Sequence, residues 1–183
     1  MLSEAVVRRI IGVEGAEALL GITEAAWQDY VDEGVTRFHR STRANIVWDY
    51  MVKRSDALLA EMDGVRRVMR QERPMYVLRD RVVLRPKLHT RDATTRNFPT
   101  PAQAEAQKYG LFAELEYSVI SFGYQLDRAE AGIERFLVTS PSDPWIINVQ
   151  ELADGGISPA TPLLAGMEED LSVIQPIRYK RSS

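Results

Sequence analysis

The feature that most constrains this chain is a period-2 alternation within residues 76–89, YVLRDRVVLRPKLH. Apolar residues recur at every second position of the second half, and the positions between them are mostly cationic. Such alternation is typical of a β-strand with one buried and one solvated face. A short apolar run precedes it, and the polar residues 79–81 separate the two segments. The pattern therefore predicts a β-hairpin with a tight turn.

The second strand of this hairpin contains Pro86, which has no N–H to donate to a neighbouring strand. We therefore expect the strand to lie at a sheet edge or to end in a bulge. Arg85, Lys87 and His89 would then stand together on its exposed face. The candidate partner- or anion-binding residues of this cationic face and its surroundings are Arg43, Arg79, Arg81, Arg85, Lys87, His89, Arg91 and Arg96.

The charge of the chain is unevenly distributed. Residues 37–96 carry fifteen Lys or Arg and seven acidic residues, whereas both flanking segments are acidic and the whole chain has a net charge of -3. A basic middle between acidic ends indicates an anionic ligand or partner. Folding of the acidic ends over the basic middle would neutralise it and is the alternative explanation.

Periodicity and turn residues predict a single α+β domain over residues 1–152. Its sheet would hold about five antiparallel strands: the hairpin and a three-stranded meander within residues 115–152. Gly123 in the first meander strand indicates a bulge or a close backbone approach. Residues 65–73 fit a strand or a loop. Helices that pack on the sheet are expected at residues 3–12, 23–34 and 41–64, the longest, and a further capped helix at residues 100–110.

From residue 153 onward, Gly and Pro recur at short intervals and no period is sustained. Residues 153–183 are therefore predicted to form an extended tail or arm rather than a second domain. Their apolar side chains are expected to dock on this domain or on another chain.

Composition excludes several classes of site. The chain has no cysteine, which excludes disulfides and Cys-ligated zinc or iron–sulfur centres, and it has only two histidines. No HExxH metallopeptidase motif, Walker loop or glycine-rich dinucleotide fingerprint is present. No apolar run approaches the roughly 20 residues of a membrane span. We therefore predict no metal, no cofactor, no membrane segment and a cytoplasmic location.

One enzymatic hypothesis is a metal-dependent nuclease, in which paired carboxylates hold Mg²⁺ and a lysine supports the attacking water. Lys87 would be the lysine, with Asp80 and either Glu61 or Asp49 as ligands. However, Arg85 occupies the position two residues before the lysine where an acid is expected, and a cation there would repel the metal.

The same cationic residues favour a binding role. Arginines and lysines on one face can contact phosphates without reading sequence, or seat an acidic protein surface, including that of a second copy of the chain. Few aromatic residues accompany them, so a platform for stacking single-stranded bases is poorly supported. His39, Arg40 and Arg43 precede or open the long helix, where free backbone N–H groups can bind phosphate. Simple capping would explain this cluster as well.

Three stretches, FHRSTRANIVWDYMVKR, YVLRDRVVLRPKLHTRDATTRNFPT and SFGYQLDRAEAGIERFLVTSPSDPWIINV, span roughly residues 36–150. In their motifs at residues 41–43, 84–88, 96–100 and 123–124 the chain resembles a family of uncharacterised bacterial and prophage proteins. Pro86 departs from that pattern, since many members carry an aromatic residue or another lysine partner there. The family's genes often lie beside one for an IrrE-type zinc metallopeptidase. The resemblance thus implies a regulatory or mobile-element setting, but no activity.

These observations together predict a non-enzymatic regulatory or accessory protein that engages a protein partner through the cationic hairpin. The partner would be a metallopeptidase of that kind or a second copy of the chain. Binding of nucleic acid by the same face is the alternative, followed by the nuclease.

Overall fold

The computed structural model of this chain describes residues 2–34, 38–70, 73–95, 117–141, 143–155 and 178–179, and the structural statements below concern these residues. The predicted helix at residues 100–110 and nearly all of the predicted tail at 153–183 lie outside them.

The first helix, α1 (Glu4–Asp32), joins two segments that the sequence predicts as separate helices. Ser3 caps it as expected, because its hydroxyl accepts a hydrogen bond from the Val6 amide. Gly12 has φ 65°, so the predicted helix end is a kink after which the helix continues. The predicted start at Thr23 is wrong: its buried hydroxyl donates to the Leu19 carbonyl at 2.8 Å, inside the helix.

The second helix, α2 (Arg40–Leu58), packs against α1 and is shorter than the sequence predicts. Val47 and Met51 are buried on the predicted apolar face. A 3₁₀ turn (Leu59–Glu61) and the short strand β1 (Met62–Asp63) follow. Gly64, with φ 75°, then turns the chain into the sheet. This glycine ends the connection rather than the helix itself.

The α+β prediction is confirmed, with a sheet of six strands rather than about five. Five neighbouring pairs join the strands, and all are antiparallel except β4 with β5, which run parallel. The basic segment that fitted a strand or a loop forms the additional strand, β2. In spatial order the strands are β2 (Val65–Arg70), β3 (Arg73–Leu78), β4 (Val82–His89), β5 (Ser118–Leu126), β6 (Ile133–Thr139) and β7 (Ile146–Asn148).

Two further elements complete the described fold. Helix α3 (Val149–Ala153) is capped by Asn148, whose side chain accepts a hydrogen bond from the Gln150 amide, and it packs on α1. Strand β8 (Arg178–Tyr179) pairs with β1 in a separate two-stranded sheet. Among the described residues, no helix combines the length and apolar character needed to cross a bilayer.

The helices cover one face of the sheet and form the main core with it. Tyr76, Leu84, Phe122 and Val138, from four successive strands, are buried on this face. The opposite face carries a smaller apolar cluster built on Met75, Val77 and Val83. Both faces of the central strands are therefore buried, as is usual around a parallel pair.

Gly123 determines how closely β5 approaches β4. Its φ is 154°, and a Cβ atom at this position would lie 1.9 Å from the backbone oxygen of Lys87. The close backbone approach predicted from the sequence is confirmed. A side chain at this position therefore cannot be accommodated without moving one of the two strands.

Gly123→Ala is accordingly expected to lower the free energy of unfolding by about 3 kcal/mol or more, because the clash is with backbone. Urea unfolding measures the change. Gly21→Ala is the matched control, since Gly21 lies in α1 and a Cβ atom added there would meet nothing within 4 Å. That variant should be more stable than wild type by about 0.5–1 kcal/mol. Equal stability of Gly123→Ala and wild type would contradict the close approach.

Candidate functional site

The predicted hairpin is present and forms the centre of the cationic region. Strands β3 and β4 pair antiparallel, with Leu78 opposite Val82 and Tyr76 opposite Leu84. Arg79 and Asp80 both have φ 50°, and the Arg81 amide donates to the Leu78 carbonyl at 3.0 Å, which closes a β-turn within the three-residue connection 79–81. The local pattern in the sequence is therefore sufficient for the hairpin itself.

The predicted edge position of β4 is wrong, because β4 lies between β3 and β5. Its pairing with β3 covers only Val82 to Leu84, whereas its pairing with β5 extends to His89. Pro86 falls where the pairing with β3 has already ended. The missing N–H of the proline therefore removes no hydrogen bond from the β3–β4 ladder, which explains why an interior strand tolerates it.

Arg85, Lys87 and His89 share one face of β4 as predicted, but that face is not exposed. Arg85 and Lys87 are half-buried, and His89 is only 1% exposed. Neither Arg85 nor Lys87 is free of interactions within the chain. The expectation of an open, unpaired cationic face on β4 is therefore wrong. It fails because strand β5 lies beside β4 and the second face of the sheet is also covered. Neither feature can be read from the sequence around these residues.

His89 is one of several buried polar side chains on the central strands of the sheet. Its Nε2 lies 3.1 Å from the hydroxyl of Thr139 on β6, and Gln125 on β5 is its neighbour in register. Its Nδ1 and the Gln125 side-chain oxygen have no hydrogen-bond partner among the described residues. Burial lowers the pKa of His89 to about 4; the nearby Tyr124 backbone opposes this shift, and the charge of Lys87 adds to it. The imidazole is therefore neutral at physiological pH.

Lys87 is surrounded by like charge. Burial lowers the pKa of its ammonium group to about 8, and the positive charges of Arg85 and Arg73 act in the same direction. Three cations from β3 and β4 thus repel one another on this face. The arrangement disfavours a divalent metal at Lys87, as the sequence already indicated through Arg85.

The remaining predicted residues lie at separate places. The half-buried side chain of Arg79 packs over Gly64. The backbone carbonyl of Arg81 accepts a hydrogen bond from the Ser118 amide. Arg91 is exposed in the turn after β4. Arg96 lies outside the described residues. Arg43 is far along the chain from the hairpin and forms an ion pair with Glu130. The structure therefore does not gather the predicted residues into one site, and their binding role stays a prediction.

The sequence pattern did not reveal the contribution of β2. Arg66 on this strand donates to Asp80 and to the Tyr117 hydroxyl, each at 2.9 Å, and Arg67 donates to Asp56 at 2.6 Å. Within the part of the chain that the structure describes, β2 has a strand neighbour on one side only. In the sequence VRRVMR, Val65 and Val68 are three residues apart and no period-2 alternation is present, so the pattern did not separate a strand from a loop.

The described residues contain no group of three His, Asp or Glu side chains placed to hold a metal ion. Asp80, a ligand in the nuclease hypothesis, is instead paired with Arg66. No protein-family model, curated protein or solved structure matches this chain. The family resemblance seen in the sequence therefore also stays a prediction.

The burial of His89 predicts a pH dependence of stability. Between pH 6.5, the usual pKa in an unfolded chain, and pH 4, only the unfolded chain takes up a proton at this site. We expect the contribution of the buried His89 to the free energy of unfolding to be complete above pH 6.5. It should fall by on the order of 3 kcal/mol as the pH drops to 4.

Urea unfolding of wild type and His89→Asn at several pH values isolates this contribution, because the carboxylates titrate in both proteins. The His89→Asn variant should lack that part of the slope. His39→Asn, which changes the exposed second histidine, should keep it. Identical pH slopes in wild type and His89→Asn would contradict the buried neutral imidazole.

Proposed function

We propose that this chain is a non-enzymatic regulatory or accessory protein that binds an acidic, extended segment of a protein partner along strand β2. The observation that carries the proposal is the chemistry of this edge. Three of its six residues are arginines, and among the described residues only β3 pairs with it. The proposal moves the predicted binding surface from the interior strand β4 to the outer strand β2. Both strands belong to the cationic segment 65–91, which comprises β2, β3 and β4 and is called the cationic ribbon below.

An edge strand offers unpaired backbone N–H and C=O groups along one side. An extended peptide can pair with them as an additional strand, in which case main-chain hydrogen bonds supply affinity and side chains supply specificity. Met69 on β2 is 55% exposed and provides apolar contact area between the charged positions. The edge therefore combines the backbone, charged and apolar contacts that such binding uses.

The arginines of β2 remain accessible although they have partners in the chain. The Arg66 side chain is 50% exposed in its pair with Asp80, and that of Arg67 is 40% exposed in its pair with Asp56. Exposed ion pairs of this kind contribute at most about 1 kcal/mol. Carboxylates of a partner can therefore replace or join these acids at small cost.

The same arginines disfavour pairing of two β2 edges with each other. In such a pair the arginines of one copy would face those of the other, and like charges on adjacent strands are destabilising. An acidic strand removes this repulsion. The charge of the edge therefore favours a different, acidic segment as its occupant.

Nucleic-acid binding is the second candidate, and the charge balance of the ribbon favours it. Residues 65–91 contain nine Lys or Arg and two acidic residues. Phosphates would contact these cations without using the free backbone of β2, and their binding would weaken steeply with salt. The two candidates therefore differ in which backbone groups become protected.

The test uses two fluorescent probes with the full chain: a peptide that alternates Glu and Val, and a DNA duplex of about 20 base pairs, longer than the site of a single small domain. We expect the peptide to bind and to slow amide hydrogen exchange in β2. The double variant Arg66→Glu/Arg67→Glu should weaken peptide binding about tenfold or more, because attraction becomes repulsion. Arg128→Glu, a single charge reversal at an exposed residue of the β5–β6 turn, should have little effect.

Further controls and outcomes interpret the result. A peptide that alternates Lys and Val should not bind. Binding of the duplex with a steep salt dependence and no protection of β2 amides would replace the first candidate with the second. If neither probe binds at low salt, both candidates fail. The fold of the double variant is checked by its amide spectrum outside β2, since Arg67 also contacts the α2 residue Asp56.

A further inference from the structure

A second cluster of charged side chains lies where α2 begins, away from the β2 edge. Arg43 on α2 reaches the β5–β6 turn, where one terminal nitrogen donates to the Glu130 carbonyl at 3.2 Å and the other pairs with the Glu130 carboxylate. The Nε of Arg40 lies 3.3 Å from the same carboxylate. One carboxylate is thus held between two guanidinium groups.

Two buried polar atoms, one in this ion cluster and one in the electrostatic field of its arginines, have no hydrogen-bond partner among the described residues. They are the Nε of Arg43 and the hydroxyl of Tyr124. Tyr124 is 1% exposed, and its ring lies 5.8 Å from that of Trp27. A buried donor without a partner costs roughly 1–3 kcal/mol, so each of these atoms calls for an acceptor such as a water molecule, an ion or a ligand.

Both atoms act as donors at neutral pH. Burial raises the pKa of the Tyr124 hydroxyl, whereas the positive charges of Arg43 and Arg40 lower it, with burial the larger effect. The hydroxyl is therefore protonated. The effect of both arginines on its pKa shows that it lies within their electrostatic field. A guanidinium Nε–H can only donate. The site thus presents two hydrogen-bond donors, which a group with two acceptor oxygens can satisfy.

The charge of the cluster indicates which acceptor fits. Two guanidinium groups and one carboxylate leave one net positive charge. The N-terminus of the 19-residue helix α2 adds a partial positive charge, and its N-cap residue His39 makes no capping hydrogen bond through its side chain. One added negative charge neutralises the cluster, whereas a dianion would bring excess negative charge next to Glu130.

We propose that Arg43 and Tyr124 form a binding site for the carboxylate group of a ligand. One carboxylate oxygen accepts from the Arg43 Nε–H and the other from the Tyr124 hydroxyl. Arg40 and Glu130, whose side chains are 39% and 35% exposed, form the mouth of the site at the surface. The site does not depend on the β2 edge, and its ligand is a monocarboxylate, either a free small molecule or the C-terminus of a peptide.

The Arg43 Nε–H signal in a ¹⁵N NMR spectrum of the full chain reports directly on the site. Titration with acetate, and separately with a short peptide that has a free C-terminal carboxylate, should move this signal in a saturable way in at least one case. Binding of acetate but not of the peptide indicates a small-molecule ligand. Binding of the peptide alone, or tighter binding of the peptide than of acetate, indicates a chain terminus. The same peptide with an amidated C-terminus should leave the signal in place.

Tyr124→Phe is the decisive variant, because it removes one donor and keeps the ring. Since that hydroxyl has no partner among the described residues, the free energy of unfolding should not fall, whereas carboxylate affinity should drop about tenfold or more. Tyr50→Phe is the control, since Tyr50 lies on α2, the helix of Arg43, and its hydroxyl contacts the Glu33 carboxylate outside the site. It should leave carboxylate affinity unchanged.

Several results would overturn the proposal. They are a stationary Arg43 signal with both carboxylates, a response to inorganic phosphate but to no carboxylate, equal binding of the amidated peptide, or equal affinity in Tyr124→Phe. If Tyr124→Phe does not fold, the wild-type titrations with the free and amidated peptides and with acetate still decide.

Discussion

The parallel pairing of β4 with β5 is the constraint on which the rest of the sheet depends. It runs from Val82 to His89 and sets each β4 side chain beside a fixed residue of β5. The approach is close enough that only glycine fits opposite Lys87. Because of this pairing, β4 is an interior strand, and its polar residues Arg85, Lys87 and His89 are buried or half-buried instead of forming an open surface.

Local patterns in the sequence were sufficient for features that depend on neighbouring residues. The hairpin turn at Arg79 and Asp80, the cap at Ser3 and the glycine at 123 each follow from the conformational needs of a few residues. The α+β class follows from the same patterns added together. The kink at Gly12 shows the limit, because a glycine with φ 65° can end a helix or merely bend it. Packing of the following segment decides between these outcomes.

The exposure of the candidate site could not be predicted because it depends on partners distant in the chain. Alternation correctly placed Arg85, Lys87 and His89 on one face, but solvation of that face depends on what covers it. Charge counts fail for a similar reason. Arg43 and Arg66 contribute equally to the basic middle of the sequence, yet one is bound to Glu130 inside a half-buried cluster and the other lies at an exposed edge. Composition gives the total charge, and only the fold gives its distribution.

The arginines of β2 also determine how concentrated solutions of the protein should behave. At low ionic strength, repulsion keeps two such edges apart. At about 1 M salt the screening length falls to about 3 Å, and this repulsion almost disappears. The side of β2 that no described strand covers and the exposed Met69 then remain as attractive contacts. Self-association should therefore increase as salt is added, so dilute buffers of low ionic strength suit storage, and salt-rich conditions favour ordered strand-to-strand contacts in crystals.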